Sequence, residues 1–294
     1  MNIYEVVTER ILKKMEQGVI PWRKTWATGL PKSLTTGKEY RGMNIVLLGL
    51  AGFNSRYWVT FREAQRLGGY VRKGEKATPV YFWHWRTSEE MAKLREKTGK
   101  ENLAPCTSFI SFAFNLDQVE GIERPSDDIS DISQHTVNRI DLAENVLEVM
   151  PDRPEIVHAH AADPCYNRKT DRITLPHLSQ FESGAEYYAT LFHELVHSTG
   201  HAKRLNRFAE SEGDRVERYS FEELVAEFGA SFLRGFTGIE DPTGEELSAS
   251  YIEGWATVFR KDNRILMRAA TAAQKAADYI RGKVIADDQP ALAA

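Results

Sequence analysis

The sequence predicts an α+β protein in two domains, the first mixing short helices with antiparallel strands and the second mostly helical with a small antiparallel sheet. Three observations predict it. At 294 residues the chain sits at the upper edge of what one hydrophobic core accommodates. Its apolar pattern runs helical, then alternating, then helical again. Its charge is divided: residues 1–100 carry 19 Lys and Arg against 9 Glu and no Asp, whereas the other 194 residues carry 19 bases and 33 acids. Such polarity suits two modules with different partners, the basic one facing a polyanion. The domains are placed at residues 1–124 and 136–285, with a linker at 125–135 and a disordered tail at 286–294.

The elements follow in order. Ile3, Val6, Val7, Ile11, Leu12 and Met15 recur at helical spacing and stop at Gly18. Pro21 to Lys38 is irregular, and a short apolar helix starts near Asn44. Thr60 reads as the cap of a helix over Phe61 to Leu67, closed by Gly68-Gly69. The period then changes to two over Thr78 to Trp85 and again over Ser108 to Phe114, with the polar stretch Arg86 to Lys100 as a solvated insertion at the hairpin tip. A helix over Val137 to Val149 opens the second domain. A strand near Glu155 to His160 follows, then a hairpin turning at Asn167-Arg168-Lys169 and returning over Asp171 to Leu175. Three helical stretches close the chain, near 184–199, 221–235 and 248–282, the last one broken.

With 42% hydrophobic and 27% charged residues, the composition is that of an ordinary globular protein. The longest apolar run, Met43 to Phe53, is too short to span a bilayer, and the N-terminal segment lacks the apolar core of a signal peptide. Only Cys106 and Cys165 are available for disulfides. A cytoplasmic protein with no membrane partner is the expectation.

The stretch ATLFHELVHSTGH carries the chemistry. His193 and His197 lie four apart, hence on one helical face, where both imidazoles can meet one ion. Glu194 is placed beside them to act as general base, taking a proton from water that a zinc ion has acidified to a pKa of about 7. Ser183 and Glu186 read as a capping box, and Gly200 fits the position after the last turn. His201 cannot complete the site from the same straight helix, since it would stand about 12 Å from His193 along the axis. It is expected to support the site or face substrate instead. The third ligand is sought in SFEELVAEFGASFL, where Glu223 and Glu227 share a face and Glu222 points elsewhere.

In these features the sequence resembles the gluzincins, whose third ligand is a glutamate on a later helix, often followed four residues on by an acid that hydrogen-bonds a ligating histidine. The resemblance implies Glu223 as ligand and Glu227 as that acid. Ser220 and Glu223 also match a capping box, which would occupy Glu223 and make Glu227 the ligand. Two imidazoles and a carboxylate favour zinc, with another divalent transition metal as the alternative. The hairpin CYNRKTDRITLP is the expected edge on which an extended peptide would lie. Tyr187, Tyr188, Tyr219 and His201 are the candidates for stabilising an oxyanion.

The basic half interleaves tryptophan and tyrosine with Lys and Arg, the mixture that binds single-stranded nucleic acid: rings stack on bases while cations track phosphates. No helix-turn-helix, zinc-finger or basic-zipper pattern is present. The expected contacts lie in loops: Trp22, Arg23, Lys24 and Trp26, then Lys38, Tyr40 and Arg41, then Arg72, Lys73 and Lys76. The strand aromatics Tyr81, Phe82 and Phe112 are assigned to the core.

Taken together, GVIPWRKTW, TTGKEYRGMN and WVTFREAQRLGGYVRKGEKATPVYFW resemble the N-terminal domain of ArdC-type antirestriction proteins. YYATLFHELVHSTGHAKRLNR and EELVAEFGASFL resemble that family's zincin-like C-terminal domain. The likeness runs over residues 5–285. It implies a single-stranded DNA-binding domain joined to a metallopeptidase-like domain, carried on conjugative plasmids and shielding incoming DNA from host restriction. Related N-terminal domains accompany plasmid primases. Partners implied are single-stranded DNA and an unidentified protein substrate or host restriction factor. A pure strand-binding protein with a non-catalytic zinc is the alternative.

Overall fold

A computed structural model of the chain describes residues 3–22, 29–103, 105–126, 136–209, 215–239 and 249–283. Arg23, Lys24, Trp26, most of the expected linker and the expected tail lie outside the described residues. Within them the fold is α+β.

The N-terminal half begins with α1 (Ile3–Met15), which buries Val7, Ile11 and Met15 along one stripe. A short parallel pair joins β1 (Lys32–Ser33) to β2 (Tyr57–Thr60). Between them, every residue of α2 (Met43–Gly49) is buried. Asn44 is tolerated there because its amide copies a strand: it donates to the Tyr81 carbonyl at 2.7 Å and accepts from the Tyr81 N–H at 2.8 Å. Thr60 caps α3 (Phe61–Arg66), as the sequence predicts, and Glu63 completes a capping box with it. A small ladder pairs β3 (Tyr70–Val71) with β6 (Val119–Glu120). The main sheet has the order β1-β2-β5-β4 and is dominated by the hairpin of β4 (Thr78–Trp85) and β5 (Cys106–Asn115). The hairpin tip holds a helix, α4 (Ser88–Thr98), with no buried residue. Its capping box (Thr87, Glu90) and left-handed Gly99 define it locally, so a stretch that reads as solvated insertion is helical through its caps alone.

The second half runs α5 (Thr136–Val149), β7 (Glu155–His158), β8 (Cys165–Asn167), β9 (Arg172–Leu175), α6 (Gly184–Ser198), α7 (Arg215–Thr237), α8 (Ala249–Lys261) and α9 (Ile265–Ile280). The three-stranded sheet has the order β7-β9-β8 and is mixed: the β8–β9 hairpin is antiparallel, but β7 pairs with β9 in parallel. The expected all-antiparallel sheet is corrected in that respect. β7 does not extend the hairpin as a meander; it lies on the other side of the returning strand. The break between α8 and α9 is an Asx turn in which the Asp262 carboxylate accepts from the Arg264 N–H at 2.9 Å.

One apolar core serves both halves. Val7, Ile11, Met15 and Trp22 cluster with Leu224, Phe228, Phe259 and Ala270. Polar contacts cross the same seam: Gly42 N–H donates to Gln274 at 2.9 Å, Thr8 to the Asn263 carbonyl at 3.1 Å, and Arg41 pairs with Asp278. No helix among the described residues is long and apolar enough to cross a membrane.

Candidate metal centre

Helix α6 starts where Ser183 accepts from the Glu186 N–H at 3.2 Å. The reciprocal arm of the expected capping box is displaced, because the Glu186 carboxylate takes the N–H of Glu182 at 2.6 Å. One face of α6 buries Leu191, Leu195 and Val196. His193 and His197 project from the edge of that face, with Nε2 atoms 3.1 Å apart and rings nearly perpendicular at 79°.

Helix α7 crosses α6 and brings up the third donor. Glu223 sets one carboxylate oxygen 3.7 Å from His193 Nε2 and the other 3.6 Å from His197 Nε2. Gly229 permits the approach: a Cβ there would stand 2.7 Å from a methyl of Val196 on α6. Helix α7 begins at Arg215, so Ser220 is inside it and cannot cap; the competing role for Glu223 disappears.

The donor set suits a small divalent cation. Tetrahedral coordination at the usual zinc distances spaces donors by about 3.3 Å, close to the separations found here. The three side chains are the one cluster among the described residues with this capability. Burial would lower the His193 imidazole, but the facing carboxylates of Glu223, Glu227 and Glu194 raise it above its ordinary value. Burial likewise works to raise Glu223, and the two histidines outweigh it and lower the carboxyl.

The acid that faces the far nitrogen of His197 is Glu222, while Glu227, expected in such a role, bears on His193 through its charge. Glu222 is buried and stands 3.3 Å from His197 Nδ1. A carboxylate at that nitrogen would favour the proton on Nδ1 when a cation is bound, and so turn the Nε2 lone pair to the ion. Arg207 locks Glu222 through two bonds of 2.9 and 2.6 Å, and also donates to Thr199 and to the Val196 carbonyl. Neighbouring glutamates reach opposite sides of one imidazole because His197 sits in the helix crossing. Glu227 lies one turn beyond and accepts from Tyr251 of α8 at 3.3 Å. Arg207 carries no motif of its own.

Glu194 is 7% exposed and makes no hydrogen bond among the described residues, so its carboxylate is available as a proton acceptor. Of the oxyanion candidates, Tyr187 bonds His158 at 3.1 Å and Tyr188 bonds Glu144. His201 accepts from the Lys203 N–H at 3.2 Å and lies 4.0 Å from Asp171, away from the triad. Tyr219 is the candidate whose hydroxyl the triad affects: the Glu223 carboxylate, with some burial, raises it above its ordinary value. β8 is one of the two edge strands of its sheet and packs against α6.

The expected nucleic-acid residues separate. Trp22 is 0% exposed, ringed edge-on by Phe228, Trp255 and Phe259, so it is a core residue and cannot stack on a base. Lys38, Lys73 and Lys76 are exposed. Arg72 is exposed but pairs with Glu75 at 2.7 Å. Arg41 keeps 60% of its side chain in solvent while reaching Asp278. Tyr40 is half-buried, and burial followed by the Glu63 charge pushes its hydroxyl up to about 12. Tyr81 is buried as expected, but Phe82 and Phe112 are exposed and leave the core.

Comparison with known proteins decides the family. A family model for the N-terminal domain of anti-restriction factor ArdC matches residues 1–110, and one for a zincin-like metallopeptidase matches residues 145–272. The metal-free crystal structure of the antirestriction ArdC protein from the R388 plasmid has a TM-score of 0.75 at 34% identity, covering 96% of this chain and 97% of that one. This chain belongs to the ArdC antirestriction family. The Mn(II)-bound structure of the same plasmid protein has a TM-score of 0.73 at 35% identity, covering 96% and 97% of the two chains. A DNA primase TraC of Escherichia coli is 35% identical over 94% of this chain, which spans only 20% of the primase. The zincin-like domain and the metal-bound relative agree with a divalent-metal centre.

Proposed function

We propose that this chain binds single-stranded DNA and carries a zinc-dependent peptidase centre, protecting DNA that enters a cell by conjugation from host restriction. The observation that carries the reading is the convergence of His193, His197 and Glu223, buttressed by Glu222 and Arg207, beside the unbonded carboxylate of Glu194. A structural ion needs no such acid, whereas a hydrolytic one does. A divalent ion bound there supplies a Lewis acid and a water nucleophilic near neutral pH. Glu194 accepts the proton, the β8 edge aligns an extended peptide, and Tyr219 is the hydroxyl nearest the triad for the carbonyl oxygen. The protein cut is an unidentified partner, a host restriction factor being the kind the family implies.

The test is Glu194→Gln. Metal content should stay equal to wild type while protection of conjugated DNA falls at least tenfold. Full protection with full metal content would leave occupancy of the strand as the mechanism and the metal as a non-catalytic element.

A further inference from the structure

The uncovered aromatic surface of the β4–β5 hairpin has no role in the metal centre or in the expected loop contacts. Phe82 and Phe109 are direct cross-strand partners. Their rings stack at 5.4 Å and 21°, and they are 36% and 49% exposed. Tyr40 adds a third ring 6.5 Å from Phe82. Along this face the hairpin is covered at its base, where Val80 and Ala113 pack under Leu48 and Trp58, and open further out. Burying a stacked phenylalanine pair stabilises a fold, so a pair left facing water marks a surface with a partner.

We propose that Tyr40, Phe82 and Phe109 form a stacking platform for the unpaired bases of a single strand. The inference rests on the single-stranded DNA reading above and says which surface performs it. Charge favours this occupant over an apolar one. Tyr40 is followed by exposed Arg41 and preceded by Glu39, whose charge is taken up by Arg281 and Lys283, with exposed Lys38 one residue further on. Beyond Phe109 on the same face, Arg86 reaches across to Thr107. Neither β4 nor β5 contains an Asp or Glu, so no carboxylate on the two strands repels a phosphate. The platform is therefore flanked by cations at both ends, the arrangement in which rings take bases and cations take the backbone. A duplex keeps its base faces stacked on one another and cannot use it.

The same hairpin provides a control. Phe112 is 58% exposed but alternates to the opposite face, paired with Pro79. The experiment titrates a labelled 20-nucleotide oligothymidine against the full chain across a salt series, comparing wild type with Phe82→Ala/Phe109→Ala, Phe82→Leu/Phe109→Leu and Phe112→Ala. The leucine pair keeps apolar bulk without a ring face, so a loss it shares with the alanine pair is not a folding defect. Both double variants should bind about 10- to 100-fold more weakly with an unchanged salt slope, and Phe112→Ala should stay within about twofold. If wild type binds with a salt slope and the double variants match it, the platform is wrong while the strand-binding reading stands. If wild type shows no binding, the strand-binding reading falls and takes the platform with it. Equal losses in Phe112→Ala, or a wild-type dimer that either double variant dissociates, would assign the ribbon to fold integrity or to self-association and overturn the proposal.

Discussion

Replacing Glu222 by Gln tests the most specific feature of the metal centre. The side chain is 7% exposed, accepts two bonds from Arg207 at 2.9 and 2.6 Å, and faces His197 Nδ1 at 3.3 Å. Burial raises its carboxyl, yet the Arg207 and His197 contacts outweigh burial and hold it below the ordinary range. Glutamine keeps the shape but offers one acceptor oxygen and no charge, so His197 and Arg207 compete for it. Bonds to a charged group are worth about 1.5–3 kcal/mol each, and losing one leaves the Arg207 cation under-compensated in a buried position. The part of that loss that reaches the metal is the orientation and basicity of His197, which in comparable sites amounts to about 10- to 100-fold in affinity. The assay is competition for zinc against a chromophoric chelator, with thermal unfolding of the metal-free protein run beside it. Glu227→Gln is the matched control, expected to weaken metal no more than about threefold, because Glu227 acts on His193 only through its charge at a half-exposed site. Zinc affinity within twofold of wild type in Glu222→Gln, or a larger loss in Glu227→Gln, would refute the assignment of Glu222.

Two further outcomes follow from the packing and the ion pairs. Gly229→Ala places a methyl 2.7 Å from the Val196 side chain, and should cost about 1–3 kcal/mol and weaken zinc by displacing Glu223; Val196→Ala in the same chain should restore much of both, and no recovery would dissociate the crossing from the site. Burial alone would raise the Asp171 carboxyl, but bonds from Arg204 and Tyr166 hold it at about 2 against 3.8. The folded-state value is depressed, so its stabilisation is complete above the unfolded value and is lost as pH falls through the folded one, between about 5 and 2. Screened by nearby solvent, the contribution is about 1 kcal/mol, and melting temperatures of Asp171→Asn should fall less steeply over that window than those of wild type. Parallel slopes would show that the pair contributes nothing.

The sequence made the histidine helix legible because two candidate ligands and a candidate base lie on consecutive turns, where spacing alone decides which face they share. Glu223 was legible by the same rule. Its neighbour was not: helical periodicity places Glu222 off the ligand face, and only the angle at which α7 crosses α6 turns that side chain onto the far nitrogen of His197. Arg207 and Gly229 belong to the same class, since each acts through a residue distant in sequence. In the basic half, loop position was a poor guide to exposure. Trp22 sits between a proline and cationic residues and yet fills the core, whereas Phe82 and Phe112 sit in alternating strands and yet face water. Alternation gives two faces to a hairpin without saying how far the covering layer extends. Here Leu48 and Trp58 cover the face only at Val80 and Ala113, and Phe82 and Phe109 further along it are exposed.

Helix α7 explains how the two halves bear on each other. Near its start it carries Glu222 and Glu223 toward the histidines. Little more than a turn later Phe228 meets the Trp22 ring edge-on at 5.2 Å, and Arg234 donates to the Trp22 carbonyl at 3.3 Å. A residue from the basic half therefore helps to set the register of the helix that supplies the third donor. Domains joined only by a flexible linker sample many orientations, and their sites meet by effective concentration. Domains that share buried aromatic rings hold one orientation until the core itself opens. A strand gripped on the β4–β5 face would thus stand in a fixed relation to the metal centre, and selection of a protein to cleave would come from what can approach both surfaces at once, rather than from a search by a tethered protease.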